Sequence, residues 1–221
     1  MPSDFPRSPR MVKGALVVFE SLAPVPTNLI VFQYNPETMN RGFQQSGSGD
    51  PREGGGDTRN LQQPIETFDL TIELDAADQL ELPGQNPIAQ VAGLNPTLAA
   101  LELLISPPST SLILNKVLSL AGTSLISPAS VPLVLFVWGP LRVVPVFVTS
   151  ISIEEQAFDQ LLNPVLAKVA LQLRGLTDPE LRRLGPPFET LGIVNQIAKE
   201  VLARSNIFNS VQQLGGAGIS F

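Results

Sequence analysis

Residues 64–74 read PIETFDLTIEL, and their alternation decides the fold class. Phe68, Leu70, Ile72 and Leu74 fall on one side of an extended chain, and Thr67, Asp69, Thr71 and Glu73 on the other. Successive side chains of a strand point to opposite faces. One apolar set at a period of two therefore predicts a half-buried antiparallel strand. The carboxylates Glu66, Asp69 and Glu73 are expected on its solvent side.

The same period returns at 165–174, VLAKVALQLR, where Val165, Ala167, Val169, Leu171 and Leu173 form one face and Lys168, Gln172 and Arg174 the other. Further strands are predicted at 12–20, 29–34, 131–138 and 142–154. Asn35-Pro36 stops the early pair, because proline fixes its own φ and disfavours a helical Asn before it. Residues 75–95 read as loop, with Pro83-Gly84 and Asn86-Pro87 as breakers. Asn95-Pro96 then opens a helix, and 112–120 suit a second. Asp178-Pro179-Glu180 reads as a turn. A helix follows from Pro187 to about Arg204, with Leu191, Val194, Ile197, Ala198 and Val201 at helical spacing. The Gly-rich stretch 46–60 is expected to be mobile until a neighbour orders it. The expectation is a flexible arm (1–11), a β domain (12–177) and a C-terminal helix and tail (178–221). Strands, a helical insertion, then strands again suggest a mainly β fold with some α: a closed or nearly closed antiparallel barrel or sandwich with a helix inserted midway.

Composition narrows the function. The chain has 221 residues and a formal net charge of −6. An acidic chain is poorly suited to displacing counterions from phosphates, so no nucleic-acid partner is expected. Residues 117–141 carry no charge and have the length of a membrane span, but Pro128, Pro132 and Pro140 interrupt them, and no stable membrane insertion is expected. There is no Cys and no His. The usual general base, thiolate nucleophile and commonest metal ligands are therefore missing, and no phosphate-loop or nucleophile-elbow motif is present. No catalytic, cofactor-binding or metal-binding residue is assigned, and no cofactor is expected. A many-stranded chain without reactive groups suits assembly better than catalysis. A glycan-binding module or a carboxylate-based enzyme is the alternative from another class. Trp138, which ends an apolar strand, reads as a core or interface anchor.

Two separated stretches carry a resemblance. The first is VFQYNPETMNR (31–41), with Phe32, Tyr34, Asn35 and Pro36. The second is 136–177, with Trp138-Gly139, the Val148 to Ile153 strand, Phe158, Asn163-Pro164 and Ala167-Lys168. Together they resemble the tube-type domain of contractile injection systems, the phage-tail-like machines, over about residues 12–177. The resemblance implies a tail-tube fold that assembles into hexameric rings. It also implies a non-enzymatic baseplate subunit that joins the spike to the inner tube, without the LysM domain that many such adaptors carry. The main inner-tube subunit is the alternative within the same machine. The partners implied are copies of the chain, the inner tube protein, the spike or hub protein and other baseplate subunits. The setting implied is cytoplasmic assembly within a particle that can be released. Candidate interface residues are Asn35, Pro36, Met39 and Arg41 on the early segment, Trp138, Lys168 and Arg174, and Phe221 in an apolar tip after a glycine hinge.

Overall fold

The computed structural model describes residues 12–19, 25–45, 64–81, 84, 86–120 and 131–216, with side chains as far as Ile207 except that of Asp78. The expectations for 1–11, for 46–60 and for Phe221 lie outside the described residues.

Among the described residues seven strands form one antiparallel sheet: β1 (Ala15–Phe19), β2 (Asn28–Val31), β3 (Met39–Gln44), β4 (Ile65–Asp75), β5 (Leu133–Val137), β6 (Val143–Phe158) and β7 (Pro164–Gly175). Their order is β2-β1-β5-β6-β7-β4-β3. Four short helices, α1 (Ala77–Leu80), α2 (Pro87–Ala92), α3 (Asn95–Glu102) and α4 (Ser109–Leu120), lie between β4 and β5. Two more, α5 (Asp178–Leu184) and α6 (Pro186–Gly216), follow β7. The alternation in β4 and β7 holds: Phe68, Leu70, Ile72, Leu74, Ala167, Val169, Leu171 and Leu173 are all buried.

The sheet curls strongly. β4 and β5 stand three places apart, which is about 14 Å in a flat sheet. Yet the Phe68 and Phe136 rings lie with centroids 5.1 Å apart. One cause is visible in β6, where the register against β7 slips between Val148 and Ser150. Such a bulge bends the strand and changes which residues face inward. Val146 and Val148 enter the core before it, and Ile151 and Ile153 pack on the core after it. The concave side is filled by these residues together with Leu16, Val18, Phe32 and Val134. Leu94, Leu98, Leu101 and Leu104 add one face of the α3 region to the same core.

The expected closed barrel is not what forms. β2 and β3 stand at opposite edges, and no ladder joins them among the described residues. Residues 32–38 cross the gap instead, and side chains take over the role of ladder bonds there. The Gln33 amide donates to the Asp75 carbonyl and accepts from the Asp75 N–H, both at 2.8 Å. The Asn35 amide accepts from the Gly14 N–H at 2.8 Å and donates to the Val12 carbonyl at 2.9 Å. Each amide mimics a peptide group, so Asn35 pins the crossing to β1's leading end and Gln33 pins it to β4's trailing end. Pro36, with no N–H to offer, ends the pairing. Asn35→Ala should therefore lose about 0.5–1.5 kcal/mol in chemical denaturation, mainly because the buried Gly14 N–H loses its partner, while water can reach the exposed Val12 carbonyl. Asn35→Asp should recover only part of that, because it keeps the acceptor for Gly14 and places an oxygen against the Val12 carbonyl.

β1 and β5 are buried on both faces. Val17, Phe19, Leu133 and Leu135 point away from the main core into a second one, built with Leu181 of α5 and Phe188 of α6. Phe19 and Phe188 meet edge to face at 5.4 Å. The C-terminal segment thus begins packed on the outer face of the sheet, and none of its described residues belongs to the main core. The turn expected at Asp178-Pro179-Glu180 is a helix. Proline is tolerated in a first helical turn, and Thr177 with Glu180 forms a reciprocal capping box. The loop expected at 75–95 likewise contains α1 and α2; Pro87 sits in the first turn of α2.

Candidate functional site

The rim where β4 begins holds a charge cluster. On β3, Arg41 pairs with Phe68 across the ladder and Phe43 with Glu66, so these four side chains share the inner face. Glu66 is 6% exposed. Its carboxylate accepts from the Arg41 Nε–H and from Lys199 Nζ, the latter at 2.7 Å. The Arg41 guanidinium also lies over the Phe43 and Phe68 rings, at 4.8 Å and 5.9 Å. Burial pushes the Glu66 pKa up, but the hydrogen bonds and charges of Arg41 and Lys199 outweigh burial, and the carboxyl titrates below its ordinary value.

This corrects the expectation that Glu66 lies on the solvent side of its strand. Its even number already places it with Phe68 and Leu70, so strict alternation carried the signal. The burial is tolerable because two cations reach the carboxylate.

A pocket of about 310 Å³ opens beside this cluster, between α6 and the β5–β6 turn. Trp138 and Arg142 stand at the base of that turn, where the Trp138 N–H donates to the Arg142 carbonyl at 2.8 Å. Gly139 makes the turn at φ +80°, a conformation that favours glycine. From α6, Lys199 and Leu202 line the pocket. Asn195 also lines it and is fixed by donating to the Val143 carbonyl. Trp138 packs on Phe136 at 5.8 Å and Phe32 at 6.4 Å, which joins the pocket wall to the main core.

The eight candidate interface residues separate into distinct places. Arg41 and Trp138 meet in this pocket. Asn35, Pro36 and Lys168 line a second hollow of about 270 Å³, where Lys168 pairs with Glu73 at 3.3 Å. Met39 packs against the main core. Arg174 holds Glu180 at 2.8 Å and lies over Phe147 at 5.6 Å. Phe221 lies outside the described residues. Arg142, Asn195 and Lys199 were not singled out from the sequence; Lys199 and Asn195 sit on α6 beside its apolar stripe and carry no motif.

The Arg174–Glu180 pair makes a prediction about acid. Hydrogen bonding from Arg174, opposed by burial and aided by Thr177, lowers the Glu180 pKa from an ordinary 4.5 to about 2. A carboxylate with a depressed pKa contributes stability that is complete above its unfolded pKa and lost as pH falls toward its folded pKa. α5 docking should therefore weaken between pH 4.5 and about 2. Glu180→Gln should flatten that part of a melting-temperature-against-pH curve and leave the neutral arm lower.

Asn163 shows how the second Asn-Pro motif works. Its amide donates to the Val91 carbonyl at 3.0 Å and to Asp159 at 2.9 Å, and accepts from Asn95 at 3.2 Å. The Pro164 carbonyl accepts from the Leu94 N–H at 2.8 Å. The β6–β7 turn is thereby stitched to the helical insertion.

Among the described residues no group of three acidic, His or Cys side chains is placed to hold a metal, and no helix is long and apolar enough to cross a membrane. No protein-family model matches the chain, and no curated protein matches it.

Proposed function

We propose that this chain is a structural, non-enzymatic subunit of a contractile injection system. In this reading it forms a hexameric ring in the baseplate and joins the spike to the inner tube. The observation that carries the assembly part is α4. This helix buries none of its residues, and Leu112, Ile113, Leu114, Val117 and Leu120 are all more than half exposed. Ile113, Leu114, Val117 and Leu120 form an apolar stripe on this helix opposite Ser111, Asn115 and Ser119, and such a stripe is stable in water only when something covers it. α6 repeats the theme beyond its packed start, with Ile193, Val194, Ile197, Val201 and Ile207 exposed. The curled antiparallel sheet with a helical insertion is read as tail-tube-type on the strength of the motifs at 31–41 and 136–177. The length of α6 favours the adaptor over the main inner-tube subunit, which needs no such extension. The partners follow from that reading: further copies, the inner tube protein, the spike or hub, and neighbouring baseplate subunits, assembled in the cytoplasm.

Native mass spectrometry of the full chain tests the assembly. A six-copy closed species is expected, with Leu114→Glu/Val117→Glu reducing it to a monomer that keeps the parent's circular dichroism and unfolds cooperatively, at a lower melting temperature because the ring no longer stabilises the native state. Open-ended filaments favour the main tube subunit, and an unchanging monomer for both proteins contradicts the proposal.

A further inference from the structure

Among the described residues three cations, Arg41, Arg142 and Lys199, line the pocket beside Trp138, and Glu66 is the carboxylate that two of them hold. Arg41 and Lys199 share Glu66. Arg142 has no hydrogen bond or ion pair from its guanidinium to any described residue, yet it lines the same pocket. In a chain with a net charge of −6, this is a local excess of positive charge in a concave, partly desolvated place. Burial lowers the Arg142 pKa first, and the Arg41 charge lowers it further, with Glu66 offsetting part of the effect. A half-buried guanidinium repelled by a like charge is stabilised by whatever anion reaches it. Its planar fork suits a carboxylate or phosphate in two-point contact.

Apart from Asn195, whose amide is taken by the Val143 carbonyl, the rest of the lining is apolar or aromatic: the Trp138 ring, Leu141, Val144, Ala198 and Leu202. The pocket volume of about 310 Å³ matches the lower end of small-molecule sites. We propose that this pocket is an anion-binding site that takes an oxyanion group carried on a small apolar or aromatic body, with Arg142, unpaired among the described residues, as its cation and Trp138 as the wall that the body packs against. The proposal is independent of the ring assembly, because every residue in it comes from one chain. A free small-molecule carboxylate and a glutamate side chain on another polypeptide offer the same group.

Trp138 is the single tryptophan of the sequence, so its fluorescence reports on this pocket directly. The full chain is titrated with phenylacetate at low, constant ionic strength, with sodium chloride as the matched salt. A saturable change in Trp138 emission is expected, reversed by inorganic phosphate and absent with chloride. Arg142→Gln should weaken it at least tenfold while leaving the melting temperature unchanged, because that guanidinium holds no described residue in the fold. Lys116→Gln, an exposed change on α4, should bind as the parent does. A short peptide with one Glu flanked by leucines separates the sources. Binding at least tenfold tighter than phenylacetate identifies a polypeptide ligand; equal or weaker binding identifies a free carboxylate. A linear, non-saturating response overturns the proposal, as does equal binding by the parent and Arg142→Gln.

Discussion

Phe136→Ala should lower the unfolding free energy by about 3–5 kcal/mol, the range for an aromatic ring removed from a packed core. Phe136 is fully buried and touches both halves of the curl, with Phe68 at 5.1 Å and Trp138 at 5.8 Å. Its loss leaves a cavity between β4 and β5, strands that are held together there by side chains and not by a ladder. The relaxation that would fill the hole requires the sheet to curl further, which the β6 bulge and the crossing at 32–38 resist. Urea unfolding should show a lower midpoint. A loss under 1 kcal/mol would mean that the curl does not depend on this contact.

Gly93→Ala should be comparably damaging, at about 2–5 kcal/mol, for a different reason. Gly93 has φ +54° and ψ −129°, a combination that side chains disfavour strongly. A β-carbon there would also stand 2.5 Å from the Pro164 carbonyl oxygen. That oxygen accepts from the Leu94 N–H, so relieving the clash breaks the stitch between the helical insertion and the β6–β7 turn. The damage should be local at first: amide exchange should accelerate in α2 and α3 before it does in β1 and β5. Uniform acceleration across the sheet would show that the insertion and the sheet unfold as one unit.

What the sequence made legible follows from how local each signal was. β4 and β7 are long, face the core on one side and water on the other, and so print their alternation plainly. β3 prints nothing comparable, because Met39–Gln44 has one strongly apolar partner for each polar residue only at Met39 and Phe43, and its burial is set by β4 alongside. The short helices α1, α2 and α5 were hidden by prolines. A proline in the first turn and a proline that ends a helix look alike until the capping partners are known. The open sheet was hidden too, since barrel and curled sheet share the same strand pattern; they differ in whether residues 32–38 pair or cross, and side-chain amides decide that. The pocket was half legible. Arg41 and Trp138 were singled out on motifs, whereas Glu66 was read onto the wrong face. Lys199 and Arg142 matter only because the curl and α6 bring 41, 142 and 199 to one rim from distant parts of the chain.

The motifs that suggested a tube-type domain prove to be structural hinges of this fold. Asn35 and Asn163 both use a side-chain amide as a bridge between elements that do not pair; Pro36 then ends the pairing of its segment, whereas Pro164 opens β7 opposite Phe158. Such residues fix the shape of the subunit. Any ring is then made by what the subunit leaves uncovered, chiefly α4 and the exposed length of α6.

The proposed role of joining spike to tube is tested most directly by electron microscopy of the intact particle from a producer strain in which this subunit carries a visible label. The account predicts label confined to a single ring between the spike and the first tube layer. Label along the whole tube, or particles that assemble without any, would contradict it.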